Sequence, residues 1–364
     1  MSRNPPMQLV FPAGGVVRRL GVRNSNGGTK PYPTPWAMNV RLEDSITDRL
    51  RGGSFTAIDA AARPSEILYR DRVLTFSGRA ITATRMGDHT DTTLSSDVSD
   101  SMRPALFQLS EAGEQGETVV ALVPHKDRYL LGFSAGETWS QHGDPLTGSR
   151  HCVSREVGII GADAWCKAHD TVYFMSEHGL YSVGADGSGM QPVSEDTIPV
   201  ELTGISDTDC TLTYNHGDRG VYIHLTDSPS WFYDIARNGF WPFNSSSSSH
   251  VLLGPLFLSR ENAYGRIQNI QGNIASGSGD VTWRLVTGTT AEAAADNGKA
   301  AITAFIADTD YQQYVSSSGV WGAGRSHMAY PRTRAIWCCV WLSAAADWAY
   351  ESVAMTVMSS GLWR

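Results

Sequence analysis

The sequence lacks the features that would assign it to a common functional class. It contains no run of about 18 apolar residues, so no segment is predicted to span a membrane. The N-terminus has no charged start followed by an apolar stretch, so no secretory signal is predicted. Neither the phosphate-cradling Gly-x-x-x-x-Gly-Lys pattern nor the metalloprotease pattern His-Glu-x-x-His occurs. We predict no catalytic residue, no cofactor site and no metal site.

Cysteine is also scarce. The five cysteines are an odd number without regular spacing, which argues against a disulfide framework. The adjacent Cys338 and Cys339 should point to opposite faces of a strand, so we expect at most one to face a core. Buried, reduced thiols are the expectation, as in a protein made in a reducing cytoplasm.

Charge is unevenly distributed along the chain. Residues 1–51 carry eight Lys and Arg residues against three acids, a balance of +5, whereas the whole chain has a net charge of −8. The remainder is therefore acidic, at −13, which argues against tight wrapping by duplex DNA. A basic arm before an acidic body suggests an arm that docks on an acidic surface such as a neighbouring subunit; a solvated loop is the alternative.

One pattern recurs four times: an Asp in a polar turn directly before an apolar strand. The four residues are Asp71, Asp127, Asp170 and Asp218, which lie 56, 43 and 48 positions apart. Repeats of about 40–50 residues built from short strands are typical of β-propeller blades. We predict that each Asp shapes the turn of a hairpin by bonding nearby backbone N–H groups, in preference to forming a catalytic carboxylate cluster.

These patterns divide the chain into three parts. Residues 1–55, rich in Pro and Gly, are predicted to form an extended arm, and 56–279 a β-propeller. About five blades are recognisable, the fifth from 251–259 with 263–274; a sixth would come from the arm or from the polar stretch 88–118. Residues 280–364 are predicted to form a small C-terminal β-sheet domain. The fold class is therefore all-β, a propeller of about five or six blades with an arm and a C-terminal domain.

Three further patterns bear on possible chemistry. The string 278–283 lacks the glycine spacing of a sialidase box, and 184–189 does not fit the Gly-x-Ser-x-Gly turn of serine hydrolases. His142, His151 and His169 are scattered and are interpreted as surface or core residues. Tyr32, Trp36 and the aromatic residues of 231–241 could stack on sugars or bases, although packing in a core or an interface is favoured.

Several strings resemble virion propeller proteins of tailed bacteriophages. Residues 35–41 (Pro-Trp-Ala-Met-Asn-Val-Arg) and 49–54 (Arg-Leu-Arg-Gly-Gly-Ser) are similar to the arms of those proteins, with Leu42 where a Pro is typical. Residues 157–161, 172–181 and 192–195 resemble one blade of podovirus tail nozzle, tail tubular and packaged-DNA stabilisation proteins. Residues 231–234 and 239–242 resemble a later blade. The resemblance extends over most of 35–245.

This resemblance implies a non-enzymatic structural protein of the phage tail, made in the host cytoplasm. It implies a homo-oligomeric, hexameric ring that contacts a head–tail adaptor or other tail proteins, with genomic DNA passing through during ejection. Seven arm residues are candidates for the interface: Arg18, Arg19, Arg23, Trp36, Arg41, Arg49 and Arg51. The alternatives are a receptor- or glycan-binding propeller of a tail fibre, tested at Trp231, and a polysaccharide hydrolase that uses blade-loop carboxylates.

Overall fold

A computed structural model describes most of the chain, which folds as two compact units. One unit comprises residues 58–230, and the other comprises 1–57 together with 231–364. The described residues are 7–10, 13–16, 32–34, 36–42, 50–53, 67–108, 118–206, 210–226, 229–244, 246, 248–258, 263–322 and 326–362.

Strands account for nearly all of the regular structure. The first ten are β1 (Met7–Val10), β2 (Ala13–Val16), β3 (Tyr32–Thr34), β4 (Trp36–Met38), β5 (Val40–Leu42), β6 (Leu50–Gly52), β7 (Ile67–Tyr69), β8 (Arg72–Ser77), β9 (Ala80–Ala83) and β10 (Ala105–Phe107). The next twelve are β11 (Ala121–His125), β12 (Tyr129–Phe133), β13 (Thr138–His142), β14 (Ser149–Ser154), β15 (Trp165–Ala168), β16 (Thr171–Ser176), β17 (Gly179–Val183), β18 (Met190–Pro192), β19 (Cys210–Asn215), β20 (Gly220–Leu225), β21 (Ser230–Asp234) and β22 (Gly239–Phe243).

The last part of the chain has longer strands and the helices. These elements are β23 (Ser249–Phe257), β24 (Ala263–Ile274), β25 (Val281–Gly288), α1 (Ala291–Ile306), a short 3-10 helix (Gln312–Tyr314), β26 (Val315–Trp321), β27 (Ser326–Ala329), β28 (Arg334–Ala335), β29 (Trp337–Ala344) and β30 (Trp348–Leu362). Within the described residues, no helix is long and apolar enough to cross a membrane.

Residues 58–230 form consecutive four-stranded antiparallel meanders, in which each strand pairs with its neighbours in sequence. The sheets are β7 to β10, β11 to β14 and β15 to β18; a fourth, β19 to β22, contains the boundary between the two units. In the first three sheets, alternating apolar residues bury one or both faces of the central strands. The prediction of an all-β chain made of short, sequential sheets is confirmed.

Neighbouring sheets of this unit pack through their first strands. Strand β7 lies against β11, and β15 lies against β19. Between the second and third sheets, the rings of Phe133 and Phe174 are 4.7 Å apart, and Lys167 Nζ donates to the carbonyl of Pro124 at 2.8 Å. One apolar cluster joins Tyr69, Leu74 and Ile81 of the first sheet to Leu122 and Leu130 of the second. The sheets therefore share cores across their boundaries.

The second unit is built from both ends of the chain. Its two main sheets have the orders β27-β24-β30-β6-β5, with β1 also on β30 and β28 on β24, and β26-β25-β29-β23-β4. Strands β2 and β3 form a separate parallel pair. The predicted boundaries at 55 and 279 therefore differ from the observed units, because strands of the arm add to sheets formed by residues 249–362.

The expected fifth blade does not form. Strands β23 and β24, which cover the predicted hairpin, belong to different sheets. The reason is that β23 pairs with β29 and β4, whereas the twelve-residue β24 pairs with β30, β27 and β28. The stretch proposed for a sixth blade contributes only β10, because residues 84–104 contain no strand and 109–117 lie outside the described residues.

The C-terminal region also contains a helix that the sequence analysis did not predict. Helix α1 begins at an N-cap, Thr290, whose side chain accepts a hydrogen bond from the Ala293 amide at 3.0 Å. Ala294, Ala301 and Ile302 of the helix pack in one cluster with Cys339 on β29. The expectation that only one of Cys338 and Cys339 is buried is therefore wrong, because both faces of β29 are covered.

Candidate interaction face

The turns between the first two strands of each sheet in residues 58–230 carry the repeated Asp residues. We call these four turns, at 70–71, 126–128, 169–170 and 216–219, the turn set. Both residues of the first turn are in the left-handed region, Arg70 at φ 49° and Asp71 at 58°, and Lys126 and Asp127 in the second turn are similar at 46° and 54°. This conformation costs a non-glycine residue roughly 1 kcal/mol and matches the twist of tight hairpins.

Side chains of the turn set connect each sheet to the next. The amide of Arg70 donates to Asp127 Oδ1 at 2.8 Å, and Arg70 Nε donates to the Asp127 carbonyl at 3.0 Å. Lys126 Nζ donates to Asp170 Oδ1, and this hydrogen bond lowers the pKa of the Asp170 carboxyl. The residue before Asp in one turn thus binds the Asp of the following turn in two successive sheets.

The outer two Asp residues have different partners. Asp71 Oδ1 lies 3.3 Å from His89 Nε2. Asp218 Oδ2 accepts hydrogen bonds from Asn215 Nδ2 at 2.6 Å and from the Tyr222 hydroxyl at 2.7 Å. The sequence predicted that these carboxylates bond nearby backbone N–H groups. The bonds that the structure shows go instead to side chains and to the amide of Arg70 in the neighbouring sheet.

The third connection is made without a carboxylate. The hydroxyl of Tyr214 on β19 and Nε2 of His169 are 3.0 Å apart, and their rings are 5.6 Å apart. The ring of His216 lies 6.2 Å from that of His169. The turn set therefore ends in an exposed group of two imidazoles and one phenol between the third and fourth sheets.

Buried polar side chains next to the turn set connect the first sheet to the second. Arg72 is completely buried, and its Nε lies 3.0 Å from Asp144 Oδ2 of the next sheet. Arg72 Nη1 also donates to the carbonyls of Thr84 at 2.7 Å and Arg103 at 2.8 Å. The Tyr69 hydroxyl donates to the carbonyl of Gly143 at 3.0 Å. These contacts hold the first sheet in a fixed position beside the second.

A row of rings crosses the second sheet. His125 stacks on Tyr129 at 4.9 Å, Tyr129 lies 5.9 Å from His142, and His142 lies 5.3 Å from His151. Burial lowers the pKa of His125 and of His142, and burial raises that of Tyr129. Burial therefore disfavours the charged form of both histidines. Among the described residues, no group of three or more His, Cys, Asp or Glu side chains could hold a metal ion.

One string has the spacing of a hydrolase nucleophile turn, Gly132-Phe133-Ser134-Ala135-Gly136. Such a turn requires a strand followed by a helix, whereas Ser134 lies in the hairpin between β12 and β13. Ser134 Oγ accepts a hydrogen bond from the Glu137 amide at 2.9 Å, and the Ser134 carbonyl accepts one from Ile159. The local structure therefore uses Ser134 to close a turn.

Three of the seven arm residues predicted for an interface lie in the described part of the chain. Trp36 on β4 packs on the α1 cluster and contacts the His250 ring at 6.2 Å. The Arg41 guanidinium lies 5.2 Å from the centre of the Phe232 ring, and Arg51 Nη2 lies 3.7 Å from Asp347 Oδ2. These contacts are all within one chain. The other four, Arg18, Arg19, Arg23 and Arg49, lie outside the described residues.

The arm string that carries the phage resemblance serves a structural role at Asn39. This residue is fully buried in the left-handed region at φ 54°. Its Nδ2 lies 2.7–2.9 Å from Asn244 Oδ1 and from the carbonyls of Ser246 and Ser248, while its Oδ1 accepts from the Asn244 amide at 2.8 Å. Asn39 thus binds the Ser-rich loop that precedes β23, a role that the sequence did not reveal.

The glycine pair of the second arm string, Gly52 and Gly53, lets strand β6 approach the Trp348 side chain closely. A Cβ on Gly52 would lie 2.2 Å from Nε1 of the Trp348 indole, and Gly53 has a φ of 143°. The Trp348 indole N–H donates to Ser249 Oγ, which links β30 to β23. The glycines therefore let β6 lie beside this tryptophan.

The aromatic residues of 231–241 that were considered for glycan binding are buried. Trp231 is 2 % exposed and Trp241 is 1 % exposed. Trp36 is half-buried against the α1 cluster, and the Tyr32 side chain lies outside the described part. Core packing, which the sequence analysis favoured, is therefore confirmed for Trp231, and the alternative of sugar stacking on this side chain is wrong.

Comparisons with known proteins add little to this geometry. No family model and no curated protein matches the chain. Solved structures that share local similarity include a nidogen/laminin complex (9% identity over 47% of this chain and 60% of that chain, TM-score 0.30). The extracellular domain of the two-component system BT4673 from B. thetaiotaomicron aligns at 12% identity over 58% and 26%, with a TM-score of 0.31.

A third similar structure is PorZ, a surface component of the type-IX secretion system of Porphyromonas gingivalis. It aligns at 13% identity over 51% of this chain and 23% of that chain, with a TM-score of 0.25. The chain thus matches less than two thirds of the length of each of these proteins. Superpositions this loose carry no argument about activity or partners.

Proposed function

We propose that this chain is a non-enzymatic structural protein of a tailed-bacteriophage virion, a ring-forming component of the tail nozzle or of the head–tail channel. The observation that carries the proposal is the bridging within the turn set. Arg70 binds Asp127 and Lys126 binds Asp170, so the two central carboxylates of the repeat connect neighbouring sheets. Recurrent residues that hold repeats together are what a rigid scaffold needs.

The four sheets are, in this proposal, blades arranged around a common axis. Contacts between first strands, β7 with β11 and β15 with β19, support this arrangement, because the first strand of a propeller blade lies innermost. Four four-stranded sheets are present among the described residues, and this proposal takes them as four blades, where the sequence predicted five or six.

The strings that resemble phage proteins contain residues that hold the fold together, which supports an architecture shared with virion propellers. Asn39 and Gly52 position the arm strands, and the Ser194 hydroxyl accepts a hydrogen bond from the Leu180 amide at 3.0 Å in the third sheet. Each is buried where a substitution would disturb packing. The proposal therefore rests on residues that build the fold and on the sequence resemblance over 35–245.

The charge of the chain is compatible with the passage of DNA. Residues 52–364 carry a net charge of −13, because the first 51 residues carry +5 of the total of −8. An acidic lumen repels phosphate, so that DNA slides without being held. In this proposal, the head–tail adaptor or another tail protein is the axial neighbour of the ring.

The test is mass spectrometry of purified particles from the phage that encodes the chain. The protein should be present at about six or twelve copies per particle, the numbers expected for a closed ring. A particle without the protein, together with normal infectivity of phage lacking the gene, would refute the proposal. The portal protein provides an internal standard for the copy number.

A further inference from the structure

The connection between β9 and β10 has the properties of a preformed binding surface. We call residues 84–104 the acidic loop. It contains no strand or helix, yet several hydrogen bonds hold it. The Met86 amide donates to the Met102 carbonyl at 3.0 Å, and Arg85 Nη1 binds Asp100 Oδ2 at 2.6 Å. The buried Arg72 donates to the carbonyls of Met102 and Arg103.

Apolar side chains project from this fixed loop into solvent. Leu94 is 56 % exposed, Val98 82 % and Met102 42 %. Three such apolar side chains on one ordered, polar loop favour a partner that covers them. A loop that is already ordered also loses little conformational entropy on binding.

The apolar residues alternate with carboxylates. The loop contains four Asp residues against two Arg residues, Arg85 and Arg103, and so has a net charge of −2. The four acids are Asp88, Asp91, Asp97 and Asp100. Hydrogen bonds from Thr90, Ser99 and Arg85 lower the pKa of Asp88, Asp97 and Asp100 respectively, so these groups stay ionised.

One segment of the chain has the complementary composition. Residues 17–23, Val-Arg-Arg-Leu-Gly-Val-Arg, combine three Arg with three apolar residues and lie outside the described part of the structure. We propose that the acidic loop of one copy binds residues 17–23 of a second copy. Arginines would pair with the loop carboxylates while Leu20 and its apolar neighbours cover Leu94 and Val98.

This inference rests on the proposed homo-oligomer and names the contact between its copies. It gives a role to three of the eight basic residues of 1–51, which precede an acidic remainder. The segment supplies charge and apolar area together, whereas an interaction of charge alone would be screened at physiological salt.

The experiment is sedimentation velocity of the full chain and two variants. The arm variant carries Arg18→Glu, Arg19→Glu and Arg23→Glu; the loop variant carries Leu94→Ser and Val98→Ser. Each variant alone should associate at least about tenfold more weakly than the wild type, because apolar burial or charge pairing is lost. The matched control is Val200→Ser, at a side chain that is 75 % exposed elsewhere in the same unit. It should associate like the wild type.

Mixing the two variants identifies the copy that supplies each part. The arm variant retains an intact loop and the loop variant retains an intact arm, so a mixture should form pairs that neither protein forms alone. A mixture that stays monomeric, a wild type that stays monomeric, or a loop variant that associates normally would each overturn the inference. Detection of the protein in particles together with a normally associating loop variant would leave the proposed function standing and remove only this contact.

Discussion

The two units of this chain use strand pairing in opposite ways. In residues 58–230, nearly every strand pairs with the strand next to it in sequence, and the turns between the strands are short. In the other unit, β1 pairs with β30, β6 with β30 and β4 with β23, so partners lie roughly 200 to 350 residues apart. Local pairing leaves a repeat in the sequence, whereas distant pairing leaves none.

This difference changes what holds each unit together. The meander sheets depend on contacts from sheet to sheet, such as Arg72 with Asp144 and Phe133 with Phe174. The unit with both termini depends on long strands and on packing against α1 and the tryptophan residues. A change in either network should therefore destabilise its own unit more than the other.

The largest effect is expected from Arg72→Met. The substitution leaves Asp144 and the carbonyls of Thr84 and Arg103 without their buried donor. Loss of one partner of a buried ion pair costs about 3–5 kcal/mol of unfolding free energy. Urea unfolding measures the loss, and hydrogen exchange should accelerate in 67–107 with little change in 281–288. The control is Arg70→Met, two positions earlier in the chain and partly exposed. It should lower the unfolding free energy by less than about 1 kcal/mol.

The next effect concerns pH and the unit with both termini. Burial, with a smaller contribution from the Arg284 charge, lowers the pKa of His250 to about 4 from its ordinary 6.5. The unfolded chain therefore takes up a proton first, and stability contributed at neutral pH is lost as pH falls from 6.5 towards 4. The loss at pH 4.5 should be about 2–3 kcal/mol.

The His250→Gln variant tests this assignment, because glutamine stays neutral throughout. Its unfolding free energy should fall less than that of the wild type between pH 7 and pH 4.5. The matched variant His125→Gln removes a buried histidine of the second sheet whose pKa is also lowered. It should flatten the pH dependence of exchange in 121–142 alone. Equal slopes for wild type and His250→Gln would refute the role of this residue.

The smallest of the three effects is expected from Asn39→Ala, at about 2 kcal/mol. The substitution removes the hydrogen bonds to the Asn244 amide and to the Ser-loop carbonyls, and it places alanine at a φ of 54°. Asn39→Gly removes the same bonds but tolerates this φ, so it should cost less. Exchange rates in 249–257 provide the measurement. Equal destabilisation by Ala and Gly would show that backbone strain plays no part.

The candidate face could be predicted only in outline. The spacing of Asp71, Asp127, Asp170 and Asp218 correctly located four hairpin turns, because a tight turn needs polar residues that tolerate the left-handed region. The partner of each carboxylate was not predictable, since Arg70 and Asp127 are 57 positions apart. Trp231 illustrates an open choice: core packing was favoured and sugar stacking was the alternative, and its burial at 2 % decides for the core.

The sequence by itself determined the all-β class, the four meander sheets of the repeat and the turns that open them. These depend on interactions between neighbouring residues, whose periodicity is visible in the chain. Only the tertiary structure decided that the N-terminal arm joins the C-terminal sheets, that 251–259 and 263–274 belong to different sheets, and that α1 covers Cys339. Those outcomes depend on which distant strands bury the most apolar surface together, and no local pattern records that choice.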